Sequence, residues 1–150
     1  MLVRVAAEKA LEGARVIVAQ NLAAQPNEII FTSGGTEGNN LALFGVVAAY
    51  QENVKHSVSN KKPHIIVSEI EHPSVLKAAK ELESRGVSLT ILPVDQSGVV
   101  DLKVLKDSLR PETILVSIMF ANNEIGTIEP IKEIAKILLR GLYNKLARGT

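Results

Sequence analysis

His64-Ile65-Ile66-Val67-Ser68-Glu69-Ile70-Glu71-His72-Pro73-Ser74-Val75 decides the fold. Within it Ile65-Ile66-Val67, an unbroken apolar run bounded by His64 and Ser68, reads as a strand covered on both faces. Pro73 then suits the first turn of a helix, where its missing N–H costs nothing. That helix runs to about Ser84, and Gly86 closes it. A buried strand followed directly by a helix is half of a βαβ unit.

The same alternation extends in both directions. Downstream, Val87 to Pro93 is a strand, Gln96-Ser97-Gly98 a turn, and Asp101 the cap of a short helix ending near Leu109. Ile114 to Met119 is a further strand, and Pro130 opens a last helix to about Leu139. Upstream, about Val3 to Ala24 is one helix ended by Pro26, Glu28 to Thr32 a short strand, and about Thr36 to Tyr50 a helix. Gln51 to Pro63 is polar and reads as a loop insertion. The expected fold class is α/β: three layers around a mainly parallel sheet.

Composition narrows the function. The 150 residues suit one domain, and an apolar content of 46% is enough for a core. The net charge is +1, with Lys and Arg spread along the chain, which argues against nucleic-acid or membrane partners. No run reaches the roughly 18 apolar residues of a membrane span. Cysteine is absent, so disulfides, thiolate metal sites and a thiol nucleophile on these residues are excluded. Glu8 and Glu12 are wrong for a mitochondrial presequence, so a cytoplasmic location is expected, with mitochondrial as the weaker reading.

Three segments fall where strands end, the place where open α/β sheets collect ligands. Ser33-Gly34-Gly35-Thr36 opens a helix, whose unpaired N–H groups and dipole favour an anion. It is also an ordinary turn and cap, and it matches neither a Walker A pattern nor G-x-G-x-x-G. His72 is either a helix cap or a group set against a ligand. Asn122-Asn123-Glu124 is either a turn or a polar ligand holder. His56, His64 and His72 form no metal-ligand set. The spacing of Glu37, Glu69, Glu71 and Glu124 does not support a glycosidase pair. A phosphate or nucleotide binder on a doubly wound sheet is one open reading of these segments.

Taken in order, these segments resemble a known family. The text from Glu28-Ile29-Ile30-Phe31-Thr32-Ser33-Gly34-Gly35-Thr36-Glu37 and Asn39-Asn40-Leu41, through Glu71-His72 and Gly98-Val99-Val100-Asp101-Leu102, to Thr113–Met119 and Asn122-Asn123-Glu124-Ile125-Gly126 is similar to the pyridoxal-phosphate enzymes of the cysteine desulfurase and selenocysteine lyase group, the class V aminotransferases. The Gly-Gly-Thr form and the polar insertion lean toward selenocysteine lyase-like members. The resemblance implies the central part of a fold-type-I large domain over residues 1–139, with a divergent basic tail at 140–150. It implies pyridoxal 5'-phosphate as cofactor and no metal. Gly35 and Thr36 would hold its phosphate, His72 would stack on its ring as the catalytic histidine, and Asn123 would bond its phenolic oxygen.

The implied reaction removes sulfur or selenium from cysteine or selenocysteine and leaves alanine, in an enzyme that acts as a homodimer. The family's Ser-x-His-Lys segment, its ring-nitrogen aspartate and its nucleophilic cysteine lie beyond Asn-Asn-Glu and are not among these residues. The expectation is therefore a fragment inactive alone, or a non-catalytic form that pairs with a complete protomer. In the family's sheet the strand at His64–Ser68 sits between those at Val87–Pro93 and Ile114–Met119. The strand at Glu28–Thr32 would lack its neighbour and stand alone or re-pair.

Overall fold

The structure, a computed structural model, describes residues 2–54 and 62–147. They form two compact units divided between Gly34 and Gly35.

The first unit holds α1 (Leu2–Asn21) and a single 3-10 turn at Pro26–Glu28. Helix α1 ends in a reversal. The Ala24 N–H bonds the Ala19 carbonyl at 2.9 Å, the Ala23 N–H bonds the Gln20 carbonyl at 3.3 Å, and Ala23 has φ +52°. This is a Schellman stop with alanine where glycine is usual. The expected strand at Glu28–Thr32 is not formed. Glu28 belongs to the 3-10 turn, and residues 29–32 pair with no strand among the described residues. A strand exists only against a partner that takes its N–H and C=O groups. Here the Ile29 carbonyl accepts instead from the Arg15 guanidinium, which also lies 5.0 Å over the Phe31 ring.

The second unit carries the sheet. Its elements are α2 (Gly35–Val54), β1 (His64–Ser68), α3 (Pro73–Ser84), β2 (Ser88–Leu92), α4 (Leu102–Ser108), β3 (Thr113–Ser117) and α5 (Ile131–Ala147). The sheet order is β2-β1-β3 and both pairings are parallel, in agreement with the expected order. Strand β1 is buried at all five positions, as a central strand covered on both faces must be.

Alternation along β1 divides the core. Ile65 and Val67 pack with Leu43 and Val47 of α2 and with Val75, Ala78, Ala79 and Leu82 of α3. Ile66 faces the other way, against Leu92, Val100, Leu105 of α4 and Ile134 of α5. The α3 set has the i, i+3, i+4, i+7 spacing of one helix face. Two helical layers thus sandwich the sheet.

Two helices run further than the sequence predicts. Helix α2 continues to Val54, so Gln51–Val54 is helical rather than loop, and residues 55–61 of the expected insertion, with His56, lie outside the described residues. Helix α5 continues past Leu139 to Ala147. Gly86, with φ +95°, closes α3 through a second Schellman stop: its N–H bonds the Glu83 carbonyl at 2.9 Å and the Val87 N–H bonds that of Leu82 at 3.1 Å. No helix among the described residues is long and apolar enough to cross a membrane.

Candidate active site at the carboxyl end of the sheet

Parallel strands put their carboxyl ends on one rim, and two loops leave it side by side. After β1 comes Glu69-Ile70-Glu71-His72. After β3 comes a hairpin-like turn closed by an antiparallel bridge between Ala121 and Ile128. Glu71 joins them. It is buried, and its Oε1 accepts from the Ser68 hydroxyl at 2.7 Å and from the Met119 N–H at 2.5 Å.

Asn122 is the second clasp. Its Nδ2 donates to the Ile70 carbonyl at 3.0 Å, and its Oδ1 accepts the N–H groups of Glu124 and Ile125 at 2.8 and 3.0 Å. The two asparagines therefore divide their work. Asn122 shapes the loop, and the neighbouring Asn123 is exposed. The sequence does not mark Glu71 and Asn122 as fold-builders. An amide or carboxylate is recognised as a clasp only when the backbone group it meets, 48 or 52 residues away, is known.

His72 caps α3. Its Nδ1 accepts from the Ser74 N–H at 3.1 Å and pairs with the Ser74 hydroxyl at 2.8 Å, while the ring stays exposed. Capping and ligand contact are thus compatible, because one ring nitrogen and the ring edge carry the cap. Helix α2 joins the same region through Asn39, whose Nδ2 donates to the Ser74 hydroxyl at 2.8 Å. Thr36 accepts at its carbonyl from Asn40 Nδ2 at 2.8 Å. The division between units falls inside the Gly-Gly pair, so the expected cradle is represented here by its Gly35–Thr36 half.

A buried carboxyl lies behind the loops. Glu129 Oε2 accepts the Val100 N–H at 3.1 Å, and Oε1 has no hydrogen-bond partner among the described residues. Burial, above all, raises its pKa, and the charges of Asp95 and Glu71 push the same way against the Val100 bond. Among the described residues no group of His, Asp or Glu is arranged to hold a metal ion.

The family's sequence profile, described as Aminotransferase class-V, matches residues 3–143. The chain belongs to this pyridoxal-phosphate-dependent family. It is 48% identical over 131 residues to the cysteine desulfurase IscS of Rickettsia massiliae, which takes in 87% of this chain and 30% of that protein. It is 52% identical over 128 residues to the IscS of Dictyoglomus turgidum, covering 85% of this chain and 30% of that one. Among solved structures, a NifS-like protein superposes with TM-score 0.80 at 38% identity, over 91% of this chain and 35% of the other. SspA, solved in complex with cysteine, superposes with TM-score 0.76 at 39% identity, over 90% and 38%. The chain spans about a third of the length of these relatives.

The residues present fit the family's cofactor. Gly35 and Thr36 begin a 20-residue helix whose first N–H groups have no intrahelical acceptor. A Cβ placed on Gly35 would meet nothing within 4 Å, so the approach to these donors is open. Glu37 shares that turn, and a bound phosphate has to hold against its charge. The exposed His72 ring offers a flat face and the exposed Asn123 a neutral donor.

Proposed function

We propose that this chain carries the ring-holding part of a pyridoxal-phosphate site that removes sulfur from cysteine and leaves alanine. The observation that carries the reading is the knitting of one rim: Asn122 to Ile70, Glu71 to Met119 and Asn39 to Ser74. These bonds bring the β1 loop, the β3 loop and α2 to the place where His72 caps its helix.

Each residue has one task. The Gly35 and Thr36 N–H groups, with the Thr36 hydroxyl, bind the phosphate. His72 lies against the ring and keeps water from that face. Asn123 donates to the phenolic oxygen. The cofactor, when bound, supplies the electron sink for the amino-acid substrate. The relatives' name, cysteine desulfurase, favours sulfur. Selenocysteine presents the same chemistry with a softer leaving atom. The complete enzyme would be a homodimer.

Pyridoxamine phosphate tests the site, because it keeps ring, phosphate and phenolic oxygen but has no aldehyde to react with surface lysines. Calorimetric titration should show binding to the chain. Thr36→Ala should weaken it by about 1–3 kcal/mol, the range for a hydrogen bond to a charged group. Equal affinity in the variant would place the phosphate elsewhere.

A further inference from the structure

Ser74 is not among the residues through which the sequence resembles its family, yet it stands between two of the elements that build the rim. Its hydroxyl accepts from Asn39 Nδ2 on α2 at 2.8 Å and lies 2.8 Å from His72 Nδ1. The hydroxyl accepts from the asparagine N–H and can still turn its own proton toward the ring. The Ser74 backbone N–H, which can only donate, aims at the same nitrogen at 3.1 Å. Two donors therefore converge on Nδ1, and a nitrogen that accepts cannot also carry the ring proton.

We propose that Ser74 is a positioning residue for His72: with Asn39 it fixes the neutral imidazole as the Nε2–H tautomer and pins it to the start of α2. The consequence is directional. The lone pair of the ring faces inward, and the only ring proton is presented at Nε2, away from the cap. Asn39 lies one helical turn after Thr36, so the relay also sets the ring at a fixed place relative to the helix start that would hold the phosphate. Both asparagine and serine are half-buried, while the ring they orient is exposed. This inference rests on the cofactor reading for its purpose, but the tautomer itself is a property of the chain alone.

The test is a long-range 1H–15N correlation spectrum of the full, 15N-labelled 150-residue chain at a pH where its histidines are neutral. His72 is assigned by loss of its signals in His72→Gln. The spectrum should show His72 as Nε2–H. In Ser74→Ala the backbone donor remains and the hydroxyl is lost, so the share of Nδ1–H should rise about fivefold. Ser74→Thr should restore the original ratio. Buried His64, held between Thr113 and Thr90 hydroxyls at 2.8 and 2.9 Å, reports in the same spectrum that the variant is folded. Wild-type His72 in the Nδ1–H form, or an unchanged ratio in a folded Ser74→Ala chain, would overturn the proposal. If Ser74→Ala loses the His64 signals, Asn39→Ala, which leaves the serine in place but removes the N–H that orients its hydroxyl, decides: a raised Nδ1–H share supports the proposal and an unchanged one overturns it. Adding pyridoxamine phosphate then addresses the functional reading separately. His72 signals that do not move on addition count against the cofactor site, whatever the tautomer.

Discussion

At the residue scale, two buried titratable groups make stability depend on pH in opposite senses. His64 sits on the central strand, and burial first, then the Arg110 charge, lower its pKa against the opposing pull of Glu112. The unfolded chain therefore takes up a proton near pH 6.5 that the native ring resists. Stability is full above that value and is lost as pH falls toward the native pKa. Glu129 is the reverse case. Its raised pKa leaves its contribution intact below the ordinary value of 4.5, and stability is lost as pH rises through the native pKa. Glu129→Gln keeps an acceptor for the Val100 N–H and removes the buried charge. We expect it to match or exceed wild-type stability at pH 7–8 in urea unfolding, with the advantage shrinking toward pH 4. A variant less stable than wild type at pH 8 would show that the charge is compensated. None of this was readable from the sequence, where Glu129 is one acid among 16 and His64 one polar residue before an apolar run. Burial is a property of what packs around a residue, and only the folded chain supplies it. The residues proposed to face the ligand were more legible. His72 and Asn123 follow strands β1 and β3, and Gly35 and Thr36 open α2; such starts and stops announce themselves through Gly, Pro and Asn.

At the element scale, legibility followed how local the cause was. Strands β1, β2 and β3 and helix α3 were readable because apolar runs, Pro73 and Gly86 fix them within a few residues. The segment Glu28–Thr32 has the apolar content of a strand, but pairing depends on a distant neighbour, and its carbonyl at Ile29 goes to Arg15 instead. Gln51–Val54 and residues 140–147 look like loop and tail by polarity. Helices nevertheless extend through polar residues when no Gly-Pro signal stops them, and Gly141 alone does not stop α5. The two Schellman stops make a paired prediction. Gly86 occupies the left-handed conformation with no atom within 4 Å of a Cβ site, so Gly86→Ala meets conformational cost alone. Ala23 already bears that cost at φ +52°. The substitutions should act in opposite directions, each by about 1 kcal/mol: Gly86→Ala destabilising, Ala23→Gly stabilising. Because α1 belongs to its own compact unit, the Ala23→Gly gain is best read from amide exchange at Leu22–Ala24 and the Gly86→Ala loss from denaturant midpoints. A loss in both variants would contradict the conformational account.

At the scale of the whole molecule, the chain provides a three-layer unit that organises one rim of a sheet, and it does so with a share of its relatives' length that is near 30%. Its proposed contribution to chemistry is holding and orienting. The transfer of sulfur needs more: a thiol to accept the atom, and, in the family resembled, a lysine to carry the cofactor in a Ser-x-His-Lys segment. The 150 residues contain no cysteine and no such segment. A polypeptide of these residues should therefore bind the cofactor's ring and phosphate yet release no alanine from cysteine or selenocysteine above the rate of free pyridoxal phosphate. The comparison with free cofactor matters. Surface amines such as Lys77 and Lys80 on α3 are exposed and react with the aldehyde wherever they sit. An assay of alanine by mass spectrometry, with reductively methylated chain as a second control, separates that background from turnover. Alanine release that survives methylation and disappears in His72→Gln would mean that these residues perform the chemistry with a group other than a thiol as acceptor. Release restored only when a complete cysteine desulfurase protomer is added, and dependent on Thr36 of this chain, would instead support a role in a mixed pair.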